Sequence, residues 1–262
     1  MVLQVWEVLD ANKTARRAYE RVLARPTMLE VTKNVICLLI WLERIKGANN
    51  ILTEVSTVVS SDRLSQAVME ADAIYNFLLH GQDMPSGSGS IPTIVSLCGG
   101  GRLIDLRFFK FHKELIARGV SVIRDNIGAL VFNDGLHAMM QRFGDDANPS
   151  VLAPELTEPF TAVSRTPPED SRVSFIAFSA ESHPCPLSPK DITNYYEQVL
   201  LFGRCIERVE IEPALEGQTP KHGIIVFMSP KQKNDAMMNE TAIFFRMSEL
   251  HDVWVQPYMP PF

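Results

Sequence analysis

The chain is poor in the features that announce most specialised chemistry. Its four cysteines, Cys37, Cys98, Cys185 and Cys205, lie far apart with no C-x-x-C spacing. That pattern argues against a zinc site or a disulfide framework and fits free thiols in a reducing compartment. No long apolar run is present. The most hydrophobic stretch, VICLLIWL from Val35 to Leu42, falls far short of the roughly 20 residues that span a bilayer, so no membrane partner is expected. The start, MVLQVWEVLDANK, lacks the basic residue and apolar core of a secretory signal. An intracellular protein, in nucleus or cytoplasm, is expected.

A surplus of positive charge is also missing. Residues 1–143 carry 16 basic and 14 acidic residues, and residues 171–262 carry 8 and 11; the whole chain has a net charge of −6. Phosphate neutralisation drives most nucleic-acid affinity, so tight, charge-led binding is not expected. The six histidines show no metal-ligand spacing, and no metal or other cofactor is expected. His183 and Cys185 are neighbours in a Pro-rich stretch without a third group to orient them as a nucleophile. The run Cys98-Gly99-Gly100-Gly101-Arg102 lacks the G-x-x-x-x-G-K-S/T pattern and follows no strand, so it reads as a helix break. There is no G-x-S-x-G either, and the chain is not expected to be an enzyme.

What is present is a change of character near residue 144. Before it, apolar residues recur at helical spacing, and an all-helical domain is expected over 1–143, as a bundle or an irregular solenoid. Arg25-Pro26-Thr27 separates two helices, and Thr27 with Glu30 fits a T-x-x-E capping box. The next helix is apolar almost all round (Val35, Ile36, Leu38, Leu39, Ile40, Trp41, Leu42, Ile45) and belongs at the centre. Ser61 should cap a helix to about Leu79, and the Gly/Ser-rich stretch His80 to Ser90 reads as a loop. Residues 144–170, with one basic and six acidic residues and several prolines, read as a solvated linker.

After Ser171 the pattern becomes short β-branched and aromatic runs. Arg172–Phe178, Cys205–Ile211 and Gly223–Met228 read as strands, and IFFRMSELHDVWVQPY near the end as a hairpin. Ser188-Pro189-Lys190-Asp191 has the cap, the first-turn proline and the acid of a helix start. Pro230 to about Glu240 reads as a second helix. The order β-α-β-β-α-β over 171–262 is the ferredoxin-like, split βαβ arrangement, so the expected class is α+β.

Phe175-Ile176-Ala177-Phe178-Ser179, Pro186-Leu187-Ser188 and the Val253-Trp254-Val255-Gln256-Pro257-Tyr258 run resemble a plant group of RNA-recognition-motif (RRM) family proteins. NVICLLIWLE, Asn34 to Glu43, is similar to the helical region of that group. The resemblance implies a sheet face that contacts single-stranded RNA. Phe175 then matches the aromatic of the shorter motif on the first strand. Aligning Phe227 with the last aromatic of the longer motif puts His222 and Ile224 at the two stacking positions, with Pro220 in place of the basic residue. His222 and Ile224 would share the open face, Ile225 and Phe227 the opposite one. Trp254 and Tyr258 are further stacking candidates. A second basic candidate is the LRFFKFHK stretch, where Arg107, Lys110 and Lys113 share a helical face; Arg17, Arg21 and Arg25 form another ridge. Ile224 offers no π-face, and Gln256-Pro257 stands where the group has Arg-Lys. Two readings stay open: weak single-stranded RNA binding through the sheet, and a protein-interaction adaptor that binds a protein partner through the helical domain beside a degenerate sheet.

Overall fold

A computed structural model describes residues 3–45, 50–84, 91–100, 103–143, 152–179, 187–213, 219–248 and 251–262. Among these residues the chain is α+β, with a mostly helical first part and a five-stranded antiparallel sheet. The helices run α1 Val5–Ala11, α2 Lys13–Leu23, α3 Leu29–Arg44, α4 Ile51–Thr53, α5 Ser61–His80 and α6 Pro92–Leu97. They continue as α7 Leu106–Phe111, α8 Lys113–Ile123, α9 Ala129–Val131, α10 Asp134–Phe143 and α11 Pro154–Thr157. Single π-turns extend α4 over Glu54–Val58 and α8 over Arg124–Gly128. None of the helices among the described residues is long and apolar enough to cross a membrane.

Helix α3 lies at the centre, as its apolar circumference demands: Val35 through Leu42 are all buried. Its start differs from the expected capping box. Met28 is the N-cap, and Thr27 turns back to bond the Arg25 carbonyl through its own N–H at 2.7 Å, which leaves Thr27 outside the helix. The Ser60 hydroxyl, one residue earlier than expected, caps α5 by accepting from the Arg63 N–H. Buried Glu70 of α5 accepts from the Ile94 N–H at 2.8 Å and so supplies the cap that α6 lacks in its own sequence. Gly99 and Gly100, with φ of 86° and 88°, end α6 as a helix break requires. Of the Gly/Ser-rich loop, residues 85–90 lie outside the described residues, as do Gly101 and Arg102 of the glycine run.

Residues 144–151 of the expected linker also lie outside the described residues. The rest of that segment is tied down. Leu156 of α11 is fully buried with Val5 and Leu9 of α1, and Gln4 pairs with Pro159. The buried Asn126 amide bonds the Ser164 carbonyl and hydroxyl, while its oxygen accepts from the Val163 N–H. The prolines are compatible with this extended path because it borrows hydrogen bonds from the helices beside it.

The sheet comprises β1 Val173–Phe178, β2 Ile206–Ile211, β3 His222–Phe227, β4 Ile243–Ser248 and β5 His251–Pro257, in the order β2-β3-β1-β5-β4. Helix α12, Pro189–Asn194, continued by a π-turn Tyr195–Val199, links β1 to β2, and α13, Pro230–Ala236, links β3 to β4. Ser188 and Asp191 make the reciprocal capping box of α12. In register, Phe175 faces Ile224 on β3 and Gln256 on β5. One face of the sheet (Ile176, Ile225, Phe227, Val253, Val255) packs on Ile192, Tyr196 and Ala236 of its own connecting helices. The other face (Val173, Phe175, Ala177, Val226, Tyr258) belongs to the core of the helical part.

Candidate functional site: the covered face of the sheet

The face expected to be open is covered. Phe175 and His222 are 0% exposed and Tyr258 1%, while Ile224 and Trp254 are partly buried against the same core. The cover is α7 and α8, backed by α3. Phe108 of α7 sits at the middle, with ring centroids 5.2 Å from Phe175, 5.8 Å from His222 and 6.5 Å from Trp41. His112 lies 4.9 Å from Phe175 and 6.1 Å from His222. Tyr258 completes the cluster against Phe175 at 5.5 Å and Trp41 at 6.4 Å. Phe175 and His222 thus meet the Phe108 ring edge-on, and Tyr258 meets Phe175 the same way, an arrangement that suits ring quadrupoles. The period-two alternation was read correctly, but the even-numbered face of β3 meets α7 where solvent was expected.

Polar groups fix this contact in register. Asp105 caps α7 by accepting from the Phe108 N–H at 2.9 Å. The same carboxylate accepts from His222 Nε2 at 2.8 Å and from Lys221 Nζ. Burial works to raise the Asp105 carboxyl, but His222, Lys221 and the Phe108 N–H outweigh it and hold the group well below the usual carboxylate range. Arg107 grips Glu212 with two hydrogen bonds of 2.8 and 2.6 Å and also donates to the Thr219 carbonyl. Burial pushes Glu212 up; the Arg107 fork and the Lys221 N–H bring it below its ordinary value. Arg118 bonds Asp170, which is 1% exposed and lies just ahead of β1, at 2.7 Å. These bidentate pairs orient the two parts as well as attract them.

The basic candidates are largely spent. Arg107 is committed to Glu212, and Lys113 lies over the Phe77 ring at 4.4 Å, which leaves Lys110 exposed on that helix. Arg21 bonds the Val55 and Val59 carbonyls and Arg25 the Ser61 and Ser65 hydroxyls, so of that ridge Arg17 stays exposed. Among the described residues, no group of three or more His, Cys, Asp or Glu could hold a metal ion. His183 and Cys185 lie outside them. Cys37, Cys98 and Cys205 are buried free thiols, and burial pushes the first two up to about 12, far from a reactive thiolate.

Several buried polar atoms on this face have no protein partner: His112 Nε2, His222 Nδ1 and both amide atoms of Gln256. Burial, with His222 adding to it, holds the His112 imidazole well below its ordinary value and thus neutral. Asp105 was missed in the sequence reading, although an acid directly before LRFF is a legible helix cap. Trp41, Phe108 and His112 were read as helix residues, and nothing in their spacing named the sheet as their partner. Comparison with family models, with curated proteins and with solved structures returns no match.

Proposed function

We propose that the chain is a non-catalytic protein-interaction adaptor. In it, an RRM-like, ferredoxin-like unit over 171–262 uses its sheet as an internal docking platform for a helical unit over 1–143. The strand order β2-β3-β1-β5, with helices between β1 and β2 and between β3 and β4, supports the ferredoxin-like reading; β4 is then an added edge strand. The resemblance to the plant RRM-family proteins is consistent with that order.

The observation that carries the adaptor reading is the complete burial of Phe175 and His222 beneath Phe108 and His112. Base stacking needs these platforms free. Re-exposing an aromatic costs roughly 1.5–3 kcal/mol, and opening exposes Phe108, Trp41 and Tyr258 as well as Phe175. Stacking returns about 1–3 kcal/mol per base. The net charge of −6 adds little counterion release to tip that balance. The adaptor reading leaves the exposed outer surface for partners.

The test is direct titration of the full chain with labelled single-stranded RNA, one U-rich and one of mixed sequence, across a salt series. No binding is expected in the range where ordinary RRM proteins saturate. Binding that Phe175→Ala abolishes in a still-folded protein would overturn the adaptor reading and restore the RNA one.

A further inference from the structure

The two edges of the sheet are unlike. On β2, the charged residues Glu207, Arg208 and Glu210 dominate the strand, and Arg208 pairs with Glu169, Glu207 and Glu210 while Arg172 pairs with Glu207. Such a row of charges blunts an edge against further pairing. The opposite edge, β4, reads IFFRMS and carries one charge, Arg246, with no strand beyond it among the described residues. Phe244 on it is 55% exposed. Beneath this margin, Tyr195 packs against Phe245 at 5.5 Å, and Val199, one turn further along the same helix, is 64% exposed. A strand-length apolar margin with unpaired backbone groups is a template for another strand.

We propose that β4 pairs antiparallel with the β4 of a second copy of this chain, joining two sheets into one about a two-fold axis. The pattern of the strand selects this occupant. Phe244 and Arg246 share a face, since their partners on β5 are Trp254 and Asp252 two residues apart. Centring the pair on Phe245 keeps the faces matched and sets each Phe244 opposite the second copy's Arg246. The guanidinium then meets the ring of Phe244 twice, once on each side of the axis, which is complementary electrostatics. The Arg246–Asp252 pair at 3.0 Å draws the guanidinium toward β5, and pairing would set it between that carboxylate and the second copy's ring. Because β2 is charge-blocked, the assembly closes at two copies instead of growing. The contact is small beside a standard interface, so a micromolar dimer is expected. This inference does not depend on the adaptor reading.

Sedimentation equilibrium of the full chain, from sub-micromolar to hundreds of micromolar, reads the association. Wild type should show a reversible monomer–dimer equilibrium. Phe244→Lys, which sets Lys against Arg across the axis, should weaken it at least about tenfold. Phe244→Asp, which sets a carboxylate against the second copy's Arg246 at the same position and leaves the Arg246–Asp252 pair in place, should keep most of the affinity. A protein that stays monomeric throughout overturns the proposal, and so does a dimer indifferent to Phe244→Lys or one that Phe244→Asp weakens as much as Phe244→Lys does.

Discussion

Acid should loosen the helix–sheet contact by way of His112. This imidazole is 3% exposed, ringed by Phe108, Phe111 and Phe175, and its Nε2 has no partner. Asp105, the acid of this contact, is already engaged with His222 and Lys221. Burial first, and then the His222 interaction, holds the His112 pKa well below the ordinary value. In the unfolded chain the same group takes a proton near pH 6.5. Stability is therefore full above about pH 6.5 and falls as pH drops through that value towards the folded pKa. With His112 still neutral in the folded state, the loss from this one group is about 1.4 kcal/mol at pH 5.5. Asp105 acts in a separate window: its lowered pKa stabilises the fold above the ordinary carboxylate range and is lost only below it. Urea unfolding at pH 7.5 and pH 5.5, followed by Trp fluorescence, compares wild type with His112→Phe and His112→Leu. The wild type should lose about 1.4 kcal/mol more than either variant over that interval. Equal losses in all three proteins would refute the argument.

Two further outcomes follow from the packing. A Cβ at Gly119 would lie 2.3 Å from Trp41 Nε1 and 2.6 Å from the Tyr258 hydroxyl, so Gly119→Ala should cost about 1–3 kcal/mol by overpacking, read as a lowered urea midpoint with unchanged slope. Glu70→Ala removes the acceptor of the Ile94 N–H inside the helical core and should cost about 1–3 kcal/mol, with faster hydrogen exchange over α6 than elsewhere.

Much of the secondary structure was legible because it rests on local causes. Ser188-Pro189-Lys190-Asp191 contains its own helix start, and the structure places both capping contacts there. The apolar circumference of α3 announced a central helix, and short β-branched and aromatic runs announced β1, β2, β3 and the terminal hairpin. The failures were local rules beaten by tertiary partners. Thr27 and Glu30 had the spacing of a capping box, yet the chain turns at Thr27 and the helix begins two residues later. Residues 152–170 had the composition of a solvated segment, yet Leu156 and Asp170 found partners in α1 and in Arg118. Composition reports how a segment behaves alone; it does not report what stands beside it.

The candidate site shows the same limit more sharply. The residues named on the sheet face, Phe175, His222, Ile224, Trp254 and Tyr258, share one face and meet one set of neighbours. The rings among them are equally suited to stacking a base and to packing against Phe108, because a ring offers the same faces and edges to either. Only charge distinguished the two in advance. An RNA-facing sheet needs cations at its rim, whereas here the cations near the face, Arg107, Arg118 and Lys221, are each matched by a carboxylate across the contact. Gln256 sharpens the point: an arginine buried at that position would require a counter-charge, while the amide enters the interior with its polar atoms unpaired. A buried neutral side chain at the rim, with Arg107, Arg118 and Lys221 each spent on an internal partner, is the composition of a face built to be covered.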